Sequence, residues 1–150
     1  MVFVGLQGAG KSTHYRQHYA ATHRLVSKDQ WPNARRREAR QQRVLAELLA
    51  AREDVVVDNT NPSPDEREPL LAIGRRSGAR AVAVFFDVPL AVCLRRNEAR
   101  VGRARVPPVA LFATRARLVP PTREEGFDEV QVLRPRGPGP GEGLRRMLES

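Results

Sequence analysis

The sequence predicts an α/β domain: a mostly parallel central sheet flanked by helices. Three observations carry this. Short runs at residues 2–4, 54–58 and 81–87 are apolar but for carboxylates at their ends, the pattern of strands buried on both faces inside a parallel sheet. Between them lie polar stretches with apolar residues at helical spacing, and alternation of the two types is the mark of α/β architecture. The first run also feeds a glycine-rich turn that opens a helix.

Taken in order, Val2-Phe3-Val4 reads as the first strand, and a polar helix follows the turn to about Ala21. Leu25-Val26-Ser27 is a second short strand. From about Asn33 to Arg52 the residues Val44, Leu45, Leu48 and Leu49 form one helical stripe. The β-branched run Val55-Val56-Val57, closed by Asp58, is the clearest strand. Pro62 and Pro64 interrupt the chain, helix runs over 65–76, and Ser77-Gly78 stops it. The strand over 81–87 leads through Pro89 into a helix to about Arg100. A basic loop covers 101–106, and helix resumes over 109–118 after Pro107-Pro108. Residues 129–133 alternate as a last strand. One domain over 1–133 is expected, followed by a Pro/Gly-rich linker over 134–143 and a tail, 144–150, that is a short helix or unstructured.

The length, 150 residues, suits a single core. No run is long enough to cross a membrane, and the opening Met1-Val2-Phe3-Val4-Gly5 lacks the basic and apolar regions of a signal peptide, so a cytoplasmic setting is expected. A single cysteine, Cys93, excludes an internal disulfide and a cysteine-rich metal centre. The formal net charge is +9, and 24 of the 26 basic residues are arginine. Such a surface attracts polyanions and nucleotides, although arginine abundance also fits a coding bias.

Gly5-x-x-x-x-Gly10-Lys11-Ser12 satisfies the Walker A pattern, and it stands between a strand and a helix, where that motif functions. Glycines are required because backbone N–H groups of Gly8, Ala9, Gly10, Lys11, Ser12 and Thr13 must wrap a phosphate. Lys11 should reach the β- and γ-phosphates, and Ser12 should hold Mg²⁺. No guanine-reading Asn-Lys-x-Asp exists, because neither lysine, Lys11 or Lys28, supplies it. Two carboxylates stand at expected strand ends: Asp29, a candidate base or a helix cap, and Asp58, a metal-side or acceptor-side candidate or a turn residue. Between Arg95 and Arg123 lie eight arginines and one acid, Glu98. Arg96 and Arg100, four apart, should share a helical face and could grip phosphates, or form part of a solvated basic surface. A second cluster, Arg35, Arg36, Arg37, Arg40 and Arg43, follows Asp29 and would border the acceptor side. Trp31 is a candidate for stacking on a base or for core packing. His14, His18 and His23 form no ligand constellation.

Together, Gly8-Ala9-Gly10-Lys11-Ser12-Thr13, Ser27-Lys28-Asp29, Val57-Asp58-Asn59-Thr60-Asn61-Pro62, Phe86-Asp87-Val88-Pro89, Arg95-Arg96-Asn97 and residues 121–127 resemble the kinase module of polynucleotide 5′-hydroxyl kinases. The similarity covers about residues 1–133. It implies a P-loop kinase fold with an Arg-rich lid, ATP (or another nucleoside triphosphate) as donor, Mg²⁺, and a DNA or RNA 5′-hydroxyl end as partner. It further implies that Lys11 and Ser12 bind phosphate and metal, Asp29 is the general base, Arg96 and Arg100 grip the donor phosphates, and Lys28, Asp58 and Asn59 face the acceptor. Two departures stand out: Lys28 occupies a place where the family usually has arginine, and Pro32 a place where one branch has a basic residue. A small-molecule acceptor (nucleoside, sugar or antibiotic) and a nucleotide-dependent switch are the alternative functions.

Overall fold

The computed structural model describes residues 1–135 and 144–147. Five strands, β1 (Val2–Val4), β2 (Arg24–Val26), β3 (Val55–Asp58), β4 (Val82–Phe86) and β5 (Glu129–Pro135), lie parallel, and β6 (Leu144–Met147) joins the edge antiparallel, in the order β2-β3-β1-β4-β5-β6. Five helices connect them: α1 (Lys11–His18), α2 (Arg37–Ala50), α3 (Pro64–Arg76), α4 (Leu90–Glu98) and α5 (Pro108–Arg117).

Side chains alternate along each strand, so a run apolar at every position needs cover on both faces. Val2, Val4, Val55, Val57 and Phe85 point to one face and pack with Leu45 of α2 and Leu70, Leu71 and Ile73 of α3. Phe3, Val56, Val84 and Phe86 point to the other, where Cys93 of α4, Leu111 of α5 and the half-buried Tyr15 and Tyr19 close over them. Helix α3 starts on a capping box: Ser63 accepts from the Glu66 amide, while Glu66 reaches back to the Ser63 amide at 3.2 Å. No helix among the described residues is long and apolar enough to cross a membrane.

The C-terminal part departs from expectation. Strand β5 takes in Arg134 and Pro135, where a linker was expected to begin, and Arg134 pairs with Asp87 at 2.9 Å. The rest of the expected linker, 136–143, lies outside the described residues. Leu144–Met147 is a strand where a short helix or unstructured tail was expected. Seven residues are too few to sustain an isolated helix, whereas the open edge of β5 offers a ready row of backbone partners.

Candidate active site

In a parallel sheet the strand C-termini share one rim, and ligands gather where connections leave in opposite directions. Here β1 is central. Its neighbour β3 places Asp58 in register with Phe3, and β2 carries the chain into Ser27, Lys28 and Asp29 at the same rim. The Gly5 amide donates to the Thr60 carbonyl at 3.0 Å, and the Asn61 side chain donates to the Phe3 carbonyl at 2.8 Å. The loop after β1 is thus fastened to the segment after β3.

Gly8 and Gly10 have φ of 82° and 95°, a left-handed backbone that turns successive N–H groups inward. At Gly8 a side chain is excluded, since a Cβ would stand 2.8 Å from the Cys93 carbonyl oxygen. Lys11, the first residue of α1, is buried, and its ammonium donates to the carbonyls of Gly5 (2.9 Å) and Leu6 (2.7 Å). Burial lowers its pKa to about 8, although the carboxylate of Asp58 opposes the shift. The Ser12 hydroxyl donates to Asp58 Oδ2 at 2.8 Å. Burial raises the Asp58 carboxyl above its ordinary value even though Lys11 and the Ser12 hydroxyl pull it down. A hydroxyl beside a partly desolvated carboxylate is a hard-oxygen pair that fits Mg²⁺, which takes few protein ligands together with substrate phosphates and water.

Asp29 is exposed, within a 3-10 turn (Lys28–Gln30) that Ser27 caps by accepting from the Asp29 amide at 3.2 Å. Ser27 therefore does the capping, and the Asp29 carboxylate is spared it. Asn59 holds the turn in place: its Oδ1 accepts from the Lys28 amide at 3.0 Å, and its Nδ2 donates to the buried Gln41 of α2 at 2.6 Å. Asp29 is close enough to act on both Lys11 and Asp58 electrostatically. The Lys28 ammonium pairs with Glu38 at 3.1 Å. Trp31 packs half-buried at the edge of the core, with the Arg40 guanidinium 4.9 Å above its ring.

Arg96 leans over the P-loop and donates to the Gly8 carbonyl at 3.2 Å. Arg100 does not share its helical face: α4 ends at Glu98, and Arg100 sits beyond it, donating to the Ala104 carbonyl at 3.3 Å. Asn97 causes the break. Buried, it donates to the Val106 carbonyl at 2.7 Å and accepts from the Val106 amide at 2.9 Å, drawing the two ends of the basic loop together. Arg100 still faces the P-loop closely enough to depress the Lys11 pKa. The sequence assigns no role to Gln41 or the Arg67–Glu125 pair, and Asn97 enters only as part of Arg95-Arg96-Asn97, because a polar residue in a helical stretch reads as solvated until its partner is known.

A central strand feeding a phosphate-cradling loop, with a carboxylate at the tip of the adjacent strand, defines a P-loop kinase-like domain. Residues 1–121 match the AAA domain family AAA_33, and the chain belongs to that family. Among solved structures it is similar to Kti12 of Chaetomium thermophilum in complex with ADP-AlF3 (TM-score 0.69, 17% identity, 89% of this chain and 87% of that one). It is also similar to a sugar kinase from Janibacter sp. HTCC2649 (TM-score 0.64, 20% identity, 89% and 83%). A fungal RNA kinase gives TM-score 0.65 at 16% identity over 94% of this chain, which spans 40% of that longer one. At these identities the likeness is one of fold.

Proposed function

We propose that the protein is a kinase transferring the γ-phosphate of ATP to the 5′-hydroxyl of a polynucleotide or oligonucleotide. The observation that carries this reading is the separation of roles at the rim. One carboxylate, Asp58, is bonded to Ser12 beside the P-loop, while a second, Asp29, stays exposed and free of capping because Ser27 accepts from the backbone amide of its turn. A switch protein has no use for the second carboxylate.

The acceptor oxygen gains a bond to the γ-phosphorus as the bridging bond to ADP breaks, and the hydroxyl proton passes to the Asp29 carboxylate. Lys11 supplies positive charge to the β- and γ-oxygens, the loop amides from Gly8 to Thr13 hold the phosphates, and Arg96 and Arg100 neutralise charge from the lid side. Ser12 and Asp58 would hold Mg²⁺, which would supply positive charge to offset that of the phosphates. Lys28 and Asn59 shape the acceptor side through the turn they fix. A cytoplasmic setting, where ATP is at hand, goes with this reading.

Asp29→Ala should lower transfer from radiolabelled ATP to a 5′-hydroxyl oligonucleotide at least 100-fold while ATP affinity changes less than threefold. Retained turnover would remove Asp29 from its role. A small-molecule acceptor is the second reading, favoured by the Lys28–Glu38 ion pair, which occupies the lysine beside the base. A nucleoside and sugar panel in the same assay separates the two.

A further inference from the structure

We infer that the arginines at the start of α2 form a track for the phosphodiester backbone of an acceptor strand beyond its first nucleotide; this rests on the proposed kinase reading. Arg35, Arg36, Arg37 and Arg40 are all exposed, and among the described residues no carboxylate forms an ion pair with any of them. The one acid within the cluster, Glu38, is taken by Lys28. The track begins at the candidate base. Arg37 donates to the Lys28 carbonyl at 3.4 Å, and Arg40 lies over Trp31, two residues past Asp29.

The placement is electrostatically unfavourable for the protein by itself. Like charges crowd one another, and they stand at the positive end of a helix, where acids are preferred. A polyanion relieves both effects at once. From Arg36 to Arg40 the chain advances about 6 Å along the helix axis, so the two guanidinium groups can reach neighbouring phosphates of one strand. Contacts of this kind carry no base sequence, so the track should set affinity for strand length and not for sequence. A free nucleoside or a sugar is too short to reach it.

The test uses the whole chain and 3′-fluorescein-labelled oligothymidylates bearing a 5′-hydroxyl, a dinucleotide and a dodecamer. In the wild type, kcat/KM should be higher for the dodecamer. In Arg36→Ser/Arg40→Ser the dodecamer-to-dinucleotide ratio should fall about tenfold. The salt slope of dodecamer binding, followed by anisotropy, should fall by about 1.4, as expected for two lost single-strand phosphate contacts. Arg36→Lys/Arg40→Lys should restore the slope, since ammonium serves as a point charge, whereas loss of folding in the serine variant would show as loss of ATP binding. Equal kcat/KM for both lengths in the wild type, or an unchanged ratio in the serine variant, overturns the track and leaves the kinase reading standing. Dodecamer binding that depends on these arginines, with no transfer to either length, supports the track and overturns the kinase reading. No binding and no transfer overturns both.

Discussion

Ser12 and Asp58, 46 residues apart in the chain, share a hydrogen bond of 2.8 Å that joins the start of α1 to the tip of β3. Asp58 is buried, and burial raises its carboxyl above its ordinary value, so a cation placed beside it offsets the cost of desolvating its charge. Asp58→Asn keeps the shape and a hydrogen-bonding partner for Ser12 but loses the charge. It should weaken Mg²⁺-dependent nucleotide binding at least tenfold, with little change in melting temperature. Isothermal titration with ATP, with and without Mg²⁺, checks this; equal affinities in variant and wild type would count against the metal-side assignment.

Lys11 makes stability depend on alkaline pH. Its folded pKa is about 8 against an ordinary 10.5, lowered by burial, so between these values the unfolded chain binds more protons than the folded one. Stability therefore rises with pH across that window, by about 3 kcal/mol from this group alone, while below pH 8 the full cost of burying the ammonium is present and does not change with pH. Lys11→Met removes that rise. The difference in urea-unfolding free energy between wild type and variant, followed from pH 7.5 to pH 10, should climb with pH; a flat difference would show that Lys11 is not desolvated.

Most of the sheet was legible because its strands are buried on both faces, which writes them as uninterrupted apolar runs such as Val55-Val56-Val57. The P-loop was legible because a phosphate cradle needs glycine at fixed steps, and Gly8 and Gly10 do hold positive φ. The break between Arg96 and Arg100 was not, since spacing cannot reveal that Asn97 would turn to clamp Val106. Strand β6 is not legible either: Leu144-Arg145-Arg146-Met147 has no strand pattern of its own and takes its form from the edge it pairs with.

Arg67 illustrates the same limit at the level of energy. Fully buried at 0% exposure, it forms two parallel bonds to Glu125 (2.8 and 2.9 Å) and a third to the Asn61 carbonyl at 2.9 Å. Asn61 in turn holds the Phe3 carbonyl, so this ion pair braces the segment between β3 and α3 against the start of the P-loop. Glu125→Gln should cost about 3–5 kcal/mol, because it leaves a buried guanidinium without a counter-charge. The double variant Arg67→Met/Glu125→Leu should cost less than the sum of its singles. Chemical denaturation of the wild type, Arg67→Met, Glu125→Leu and the double variant forms the cycle, and additive costs would argue that the two residues act separately.

Gly74 offers the opposite case, a position that can be improved. It lies within α3, where glycine is a poor helix former, and borders an apolar cavity of about 50 Å³ lined also by Leu45, Leu49, Leu70 and Leu71. A Cβ placed there meets nothing within 4 Å beyond its chain neighbours and its own helix backbone. Gly74→Ala should therefore gain about 1 kcal/mol from backbone entropy, with a further contribution from the buried methyl group. For a chain of this size that is about 2–4 °C in melting temperature. The cavity lies against the N-terminal end of the sheet, beside Met1 and Val2, away from the rim that holds Ser12, Asp29 and Asp58. Calorimetry should therefore show higher stability at unchanged ATP affinity. A lower melting temperature would mean that the space is already needed by a neighbouring side chain in motion.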